Sequence, residues 1–238
     1  LLRLDIVLLA LGVVNAGASL WYANDLYGGT IYPVTRVMIA TLQNAFSIIP
    51  IIVAIYYAGE LVWRERDRRT HEIIDATPIP DWAFFVPKTL AITLVLISTL
   101  VVGVMTAAAL QAIKGYFNFE IGKYLLWLVI PDAVSFLLIA ILAVFLQTLS
   151  PQKFVGWGLM VLYLISRQVM ASLGWEHLLY RYGAAPYVPL SDMNGQGQFW
   201  VANAWLRLYW TAFALILCVL SYALWRRGVD TRLMPRLR

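Results

Sequence analysis

His71-Glu72-Ile73-Ile74-Asp75 is the stretch of this chain that comes nearest to a catalytic signature. It begins like H-E-x-x-H, in which two histidines one helical turn apart hold zinc and the glutamate acts as base. Asp75 stands where the second histidine belongs. No further ligand lies close by in sequence, and four arginines precede the stretch, so it reads as neither a zinc site nor any other metal site. Cys218 is the chain's single cysteine, which rules out an internal disulfide framework. The phosphate-binding pattern G-x-x-x-x-G-K-[ST] is absent, as are the residues of a peptidase. We therefore assign no catalytic residue to this chain, and it reads as a non-enzyme.

The half-motif lies within a longer charged block, GELVWRERDRRTHEIIDATPIPDWAFFVPK, running from Gly59 to Lys88. Glu60 with Arg64 and Glu65 with Arg69 have acid before base at i, i+4, the order that supports a helix. Arg68–Glu72 and His71–Asp75 repeat the spacing. A helix is expected to run on to Thr77 and stop before Pro78, because the residue preceding a proline is pushed out of the helical region. The Pro78-Ile79-Pro80 turn then reverses the chain. Asp81 is expected to cap a short interfacial helix over Trp82–Phe85, with Lys88 marking the start of the next long helix.

Three ionisable residues fall inside apolar stretches, where each costs at least about 2.5 kcal/mol to insert and is a functional candidate by default. Counted at 1.5 Å per residue from Lys123, Trp175 and Trp200 at the outer edge, Asp132, Arg167 and Arg207 lie about 13, 12 and 10 Å deep. An Asp132–Arg167 pair between neighbouring helices is the simplest expectation, serving either helix register or a substrate path. Pro131 is placed to open the helix locally, and Arg207 to snorkel outward. Arg3 and Asp5 read as interfacial anchors.

The elements that must position these residues follow from composition. The chain has 238 residues, of which 61% are apolar and 13% charged, with a mean hydropathy of +0.74. Soluble domains carry about 25% charge. Ten Trp and thirteen Tyr suit the membrane–water interface. The fold class is all-α, a polytopic membrane protein forming a single domain over 1–238. Six spans are expected, at about 4–22, 37–57, 89–113, 124–149, 154–173 and 201–225, each long enough for ~30 Å of hydrocarbon. Arg3, the arginines of the 59–88 segment, Lys88, Lys153 and the tail arginines crowd one flank. Only Arg36, Lys114, Lys123 and Arg181 occupy the other. The positive-inside rule puts both termini and the 59–88 segment in the cytoplasm. It also accounts for the net charge of +5 without nucleic acid as a partner; the bilayer is the partner. The long segment 174–200 is then external. Its WEHLLYRY start is amphipathic and expected to lie at the interface or dip in as a short helix. A chain beginning at Leu1 rather than Met reads as a portion of a longer one.

A charged helix after the second of six spans, with Gly59-Glu60, Arg64-Glu65, Arg69-Thr70-x-Glu72-Ile73-Ile74, Pro78 and Lys88, resembles the permease subunits of type-2 ATP-binding-cassette (ABC) exporters. The resemblance implies a fold of paired six-span bundles, so a second permease bundle, as homo- or heterodimer, is expected. It implies a cytoplasmic ABC ATPase subunit that binds ATP and magnesium, leaving no cofactor in this chain. It also implies an address in the bacterial cytoplasmic (inner) membrane. By the same resemblance, the residues that couple to the ATPase are Glu60, Arg64, Glu65, Arg66, Arg68, Arg69, Glu72, Ile73 and Ile74. The stretch PLSDMNGQGQFW with the following LYW, Pro189 to Trp210, is similar to a subset of these permeases joined to a metallo-aminopeptidase domain. Two other readings remain at this point: an ion- or proton-coupled carrier using Asp132 and Arg167, and a non-transporting membrane anchor or scaffold.

Overall fold

A computed structural model describes residues 10, 13–19, 21, 32–80 and 82–225. Apolar runs with little charge fold here as helices, the structure that satisfies its own backbone without water. The helices in chain order are α1 (Thr35–Ala45), α2 (Ile49–Asp67), α3 (His71–Asp75), α4 (Trp82–Ile113), α5 (Ile121–Leu149), α6 (Lys153–Ser172) and α7 (Phe199–Ala223). Residues 13–19 are also helical. Extended pairing among the described residues is limited to one isolated bridge, Ser191 with Gly195. Among the described residues four helices, α4 to α7, are long and apolar enough to cross a membrane, and α1 with α2 makes a fifth such span if the bent pair is counted as one. The span expected at 4–22 lies mostly outside the described residues, as do Arg3, Asp5, Asp81 and the tail arginines.

Several boundaries differ from expectation for local reasons. The span expected at 37–57 is broken between α1 and α2, which meet at 45°. Pro50 lies in the first turn of α2, where its missing N–H costs nothing, but it cannot donate back to Phe46 and continue α1. Ser47 terminates α1 by donating through Oγ to the Asn44 carbonyl at 2.8 Å. The separate interfacial helix expected over Trp82–Phe85 is instead the first turn of α4, a continuous helix of 32 residues with Pro87 inside it. Within α5, Leu125–Val129 is a π-helical turn, with the Ile130 N–H reaching back five residues to the Leu125 carbonyl. Pro131 follows directly, and the wider turn absorbs the donor it lacks.

The chain forms two compact units. One comprises Leu1–Val53, Leu94–Phe136 and Pro189–Gly197. Its core joins Met38, Ile39 and Leu42 of α1 and the capping Phe46 to Ala107 of α4 and to Tyr124 and Leu128 of α5. Gly103 admits the Phe46 ring, since a Cβ there would stand 2.6 Å from it. The fully buried Gln111 donates to the Pro33 carbonyl at 2.8 Å and accepts from the Tyr124 hydroxyl at 3.1 Å. Both ends of its amide are thus satisfied, which burial requires.

The other unit comprises Ala54–Thr93, Leu137–Val188 and Gln198–Arg238. Here WEHLLYRY does not form the expected amphipathic helix. Only Leu178–Tyr180 makes a 3₁₀ turn, capped by His177 Nδ1 accepting from the Leu179 N–H at 3.2 Å. The segment is pinned to helices one bond at a time. Tyr182 donates to the Leu138 carbonyl at 3.1 Å, and the Trp210 indole donates to the Ala184 carbonyl at 2.9 Å. Asn203 donates to the Pro186 carbonyl at 2.8 Å.

Candidate functional site

The charged block folds as the last turns of α2, a sharp reversal, α3 and the start of α4. α2 stops at Asp67, ten residues before the expected end at Thr77. Arg69 adopts φ +54°, the left-handed conformation that usually takes glycine. The Thr70 N–H then bonds the Glu65 carbonyl at 2.9 Å and the Arg69 N–H bonds the Arg66 carbonyl at 3.0 Å. These are the two bonds of a Schellman termination. The chain restarts as α3, and the Thr77 hydroxyl closes that turn on the Ile74 carbonyl at 2.5 Å.

The acids of the block do not pair as their spacing suggests. Glu65 binds Lys88 of α4 at 2.6 Å rather than Arg69. Glu60 binds Lys153 of α6 at 3.3 Å rather than Arg64, and Asp67 binds the same ammonium at 2.8 Å. Desolvation decides the contest. Lys88 and Lys153 keep only 12% and 22% of their side-chain surface exposed, and a lysine removed from water needs a carboxylate. Arg64, Arg68 and Arg69 are exposed. Lys88 also sits 5.2 Å from the centroid of the Trp225 ring, a cation–π contact.

The predicted coupling residues therefore divide. Glu60, Glu65, Arg66 and Ile74 are partly covered, whereas Arg64, Arg68, Arg69, Glu72 and Ile73 face outward. Ile73 is 75% exposed, unusual for an isoleucine on a short helix. Beneath the block lies a pocket of about 30 Å³, enough for one or two waters, lined by Val62, Trp63, Arg66, Gln147, Thr148, Ser150 and Trp225. Trp63 donates through its indole to Gln147 Oε1 at 2.9 Å. Lys153, Gln147, Asp67 and Trp225 thus belong to this site without having been singled out from sequence. Asp67 stands at the last position of α2, where an acid opposes the macrodipole and the Lys153 ammonium offsets its charge.

The intramembrane charges sit on three helices. Asp132 lies in the first turn after the π segment of α5. Arg167 lies half-buried on α6, its guanidinium 5.9 Å from the Tyr163 ring centroid. The Tyr163 hydroxyl in turn donates to the Tyr182 carbonyl at 2.9 Å. Arg207 on α7 donates through Nε to Asn203 Oδ1 at 2.6 Å, one turn back along the same helix. Asn203 is a further polar partner that sequence reading passed over. Among the described residues no three His, Cys, Asp or Glu side chains gather into a metal-binding group.

No curated protein and no solved structure matches the chain. Residues 3–167, however, match the family model described as ABC-2 family transporter protein. The match takes in the charged block, its lysine anchors and the helices that carry them. With its long apolar helices and a family that works with an ATPase partner, the chain is a membrane-embedded permease component rather than an enzyme. It belongs to the ABC-2 family of transporter proteins.

Proposed function

We propose that this chain is the permease of an ABC exporter and that its 59–88 segment receives the stroke of a separate ATPase. In this reading a cytoplasmic nucleotide-binding subunit holds ATP and magnesium. Two six-span bundles enclose the pathway in the bacterial cytoplasmic membrane, with both termini inside. One observation carries the reading: the block sorts its charges. Glu60, Glu65 and Asp67 pair with Lys88 and Lys153, while Arg64, Arg68, Arg69, Glu72 and the bare Ile73 are left on the outside. A solvated connecting loop gains nothing from exposing an isoleucine among three arginines, whereas a docking surface does. The Pro189–Trp210 stretch supports membership of the subset joined to a metallo-aminopeptidase.

Co-purification of the permease is the test. An ATPase is expected to accompany the wild type, and Ile73→Asp or Arg68→Glu is expected to weaken its retention roughly tenfold, the usual scale for losing an interface anchor. A clean permease that carries no ATPase and moves its substrate on a proton gradient would establish the carrier reading instead. Retention of an ATPase with no transport in any direction would establish the scaffold.

A further inference from the structure

On one face of α2, four residues meet the end of α5 and the start of α6. At 3.6 residues per turn, Gly59, Glu60, Trp63 and Asp67 lie within an arc of about 100°. Gly59 lies against the Trp157 indole so closely that a Cβ would collide with it. Glu60 and Asp67, two turns apart, share the Lys153 ammonium. Trp63 holds Gln147, whose Nε2 donates to the Lys153 carbonyl at 3.3 Å. Gly156 is equally tight against the Gln147 amide. The 149–153 connection between α5 and α6 is therefore gripped by both the side chain and the backbone of Lys153. Asp67, at the last position of α2, has its charge offset by the same group.

We infer that Lys153 is a positioning residue for coupling: by bridging Glu60 and Asp67 it fastens the end of α2 to the α5–α6 turn, so that displacement of the 59–88 segment is passed to α5 and α6. The inference rests on the proposed function, because it needs a partner that moves the segment. Packing alone would fix α2 with Gly59 and Trp63. The doubly paired lysine adds a tie at the outermost turn, next to the Schellman reversal, where a helix end otherwise frays.

The experiment uses the full chain with its co-purified ATPase in proteoliposomes, on a Cys218→Ser background. Cysteines are placed at exposed Ala76, beside α3, and at exposed Gln152, in the turn. Maleimide labelling is followed with and without ATP plus vanadate. In the parent, nucleotide is expected to change the labelling rate at both sites by about fivefold or more, the low end of allosteric coupling. In Lys153→Met and in Glu60→Gln/Asp67→Asn, the Ala76 response is expected to persist while the Gln152 response disappears. Lys153→Arg is expected to keep both. Persistence of the Gln152 response in the neutral variants overturns the inference. So does joint loss of both responses, which would make Lys153 a docking residue, or failure of both neutral variants to fold, which would make it a structural one. An Ala76 site that ignores nucleotide in the parent would instead sink the functional reading itself, and the inference with it.

Discussion

Arg69 at φ +54° holds a conformation that costs an ordinary residue about 1–2 kcal/mol and glycine almost nothing. Arg69→Gly is therefore expected to raise the permease's stability by about 1 kcal/mol, read as a higher melting temperature in detergent. The same variant is expected to lower retention of the ATPase, because it removes an outward guanidinium. A gain in both would place Arg69 outside the docking surface. Glu120, just before α5, gives a pH test. Its hydrogen bond to the Lys123 ammonium, 2.6 Å away, holds the carboxyl below the usual carboxylate range, with burial working against the shift. A lowered carboxylate pKa stabilises the fold at neutral pH, and that contribution is lost as pH falls through the lowered value. Lys123→Met is expected to shrink the drop in melting temperature between about pH 7 and pH 3. For the intramembrane charges, Asp132→Asn and Arg167→Gln are each expected to reduce transport, measured in vesicles. Intact folding and transport in both would remove the proposed pair from the pathway. The residue types of the block were legible in the sequence, but its pairing was not. Spacing along a chain reports which groups share a helix face, whereas Glu60 and Glu65 were claimed by lysines 93 and 23 residues away.

Between elements, small residues set the approach distances. Gly59 and Gly156 lie where any Cβ would collide with Trp157 and with Gln147. Gly59→Ala is expected to destabilise the protein by about 1–3 kcal/mol as the helices separate, seen as a lower melting temperature. The pairing of Lys153 should weaken with it, so the loss should fall short of additive with Lys153→Met. The helices themselves were readable because long apolar runs leave few alternatives, and the starts and ends of α5, α6 and α7 fall within three residues of their expected places. The breaks were harder. The α1–α2 bend depends on a carbonyl that Pro50 cannot serve, and the end of α2 depends on an arginine accepting a glycine's backbone. Neither Pro50 nor Arg69 announces by its type which way the chain will turn. Pro131 beside Asp132 did announce its effect, since a proline within a long helix must be absorbed somewhere, and here a π turn absorbs it.

At the level of the molecule, the family was legible from the charged block set among apolar spans, and the match over residues 3–167 agrees with it. The anchoring of that block was hidden, because it is made by side chains distant in sequence. One dimension bears on how such a machine would meet its surroundings. α4 has 32 residues, so it is about 48 Å long at 1.5 Å per residue, while a hydrocarbon core spans ~30 Å. The surplus must be met by tilting, by thickening the bilayer locally or by reaching beyond the core, each at a modest cost that depends on bilayer thickness. Near its start α4 carries Lys88, which holds Glu65 of the charged block. Lipid chain length would then act on the same segment that the proposed ATPase is expected to move. Turnover of the reconstituted complex is expected to vary with acyl-chain length even at constant headgroup composition, making the host membrane a second regulator of the permease.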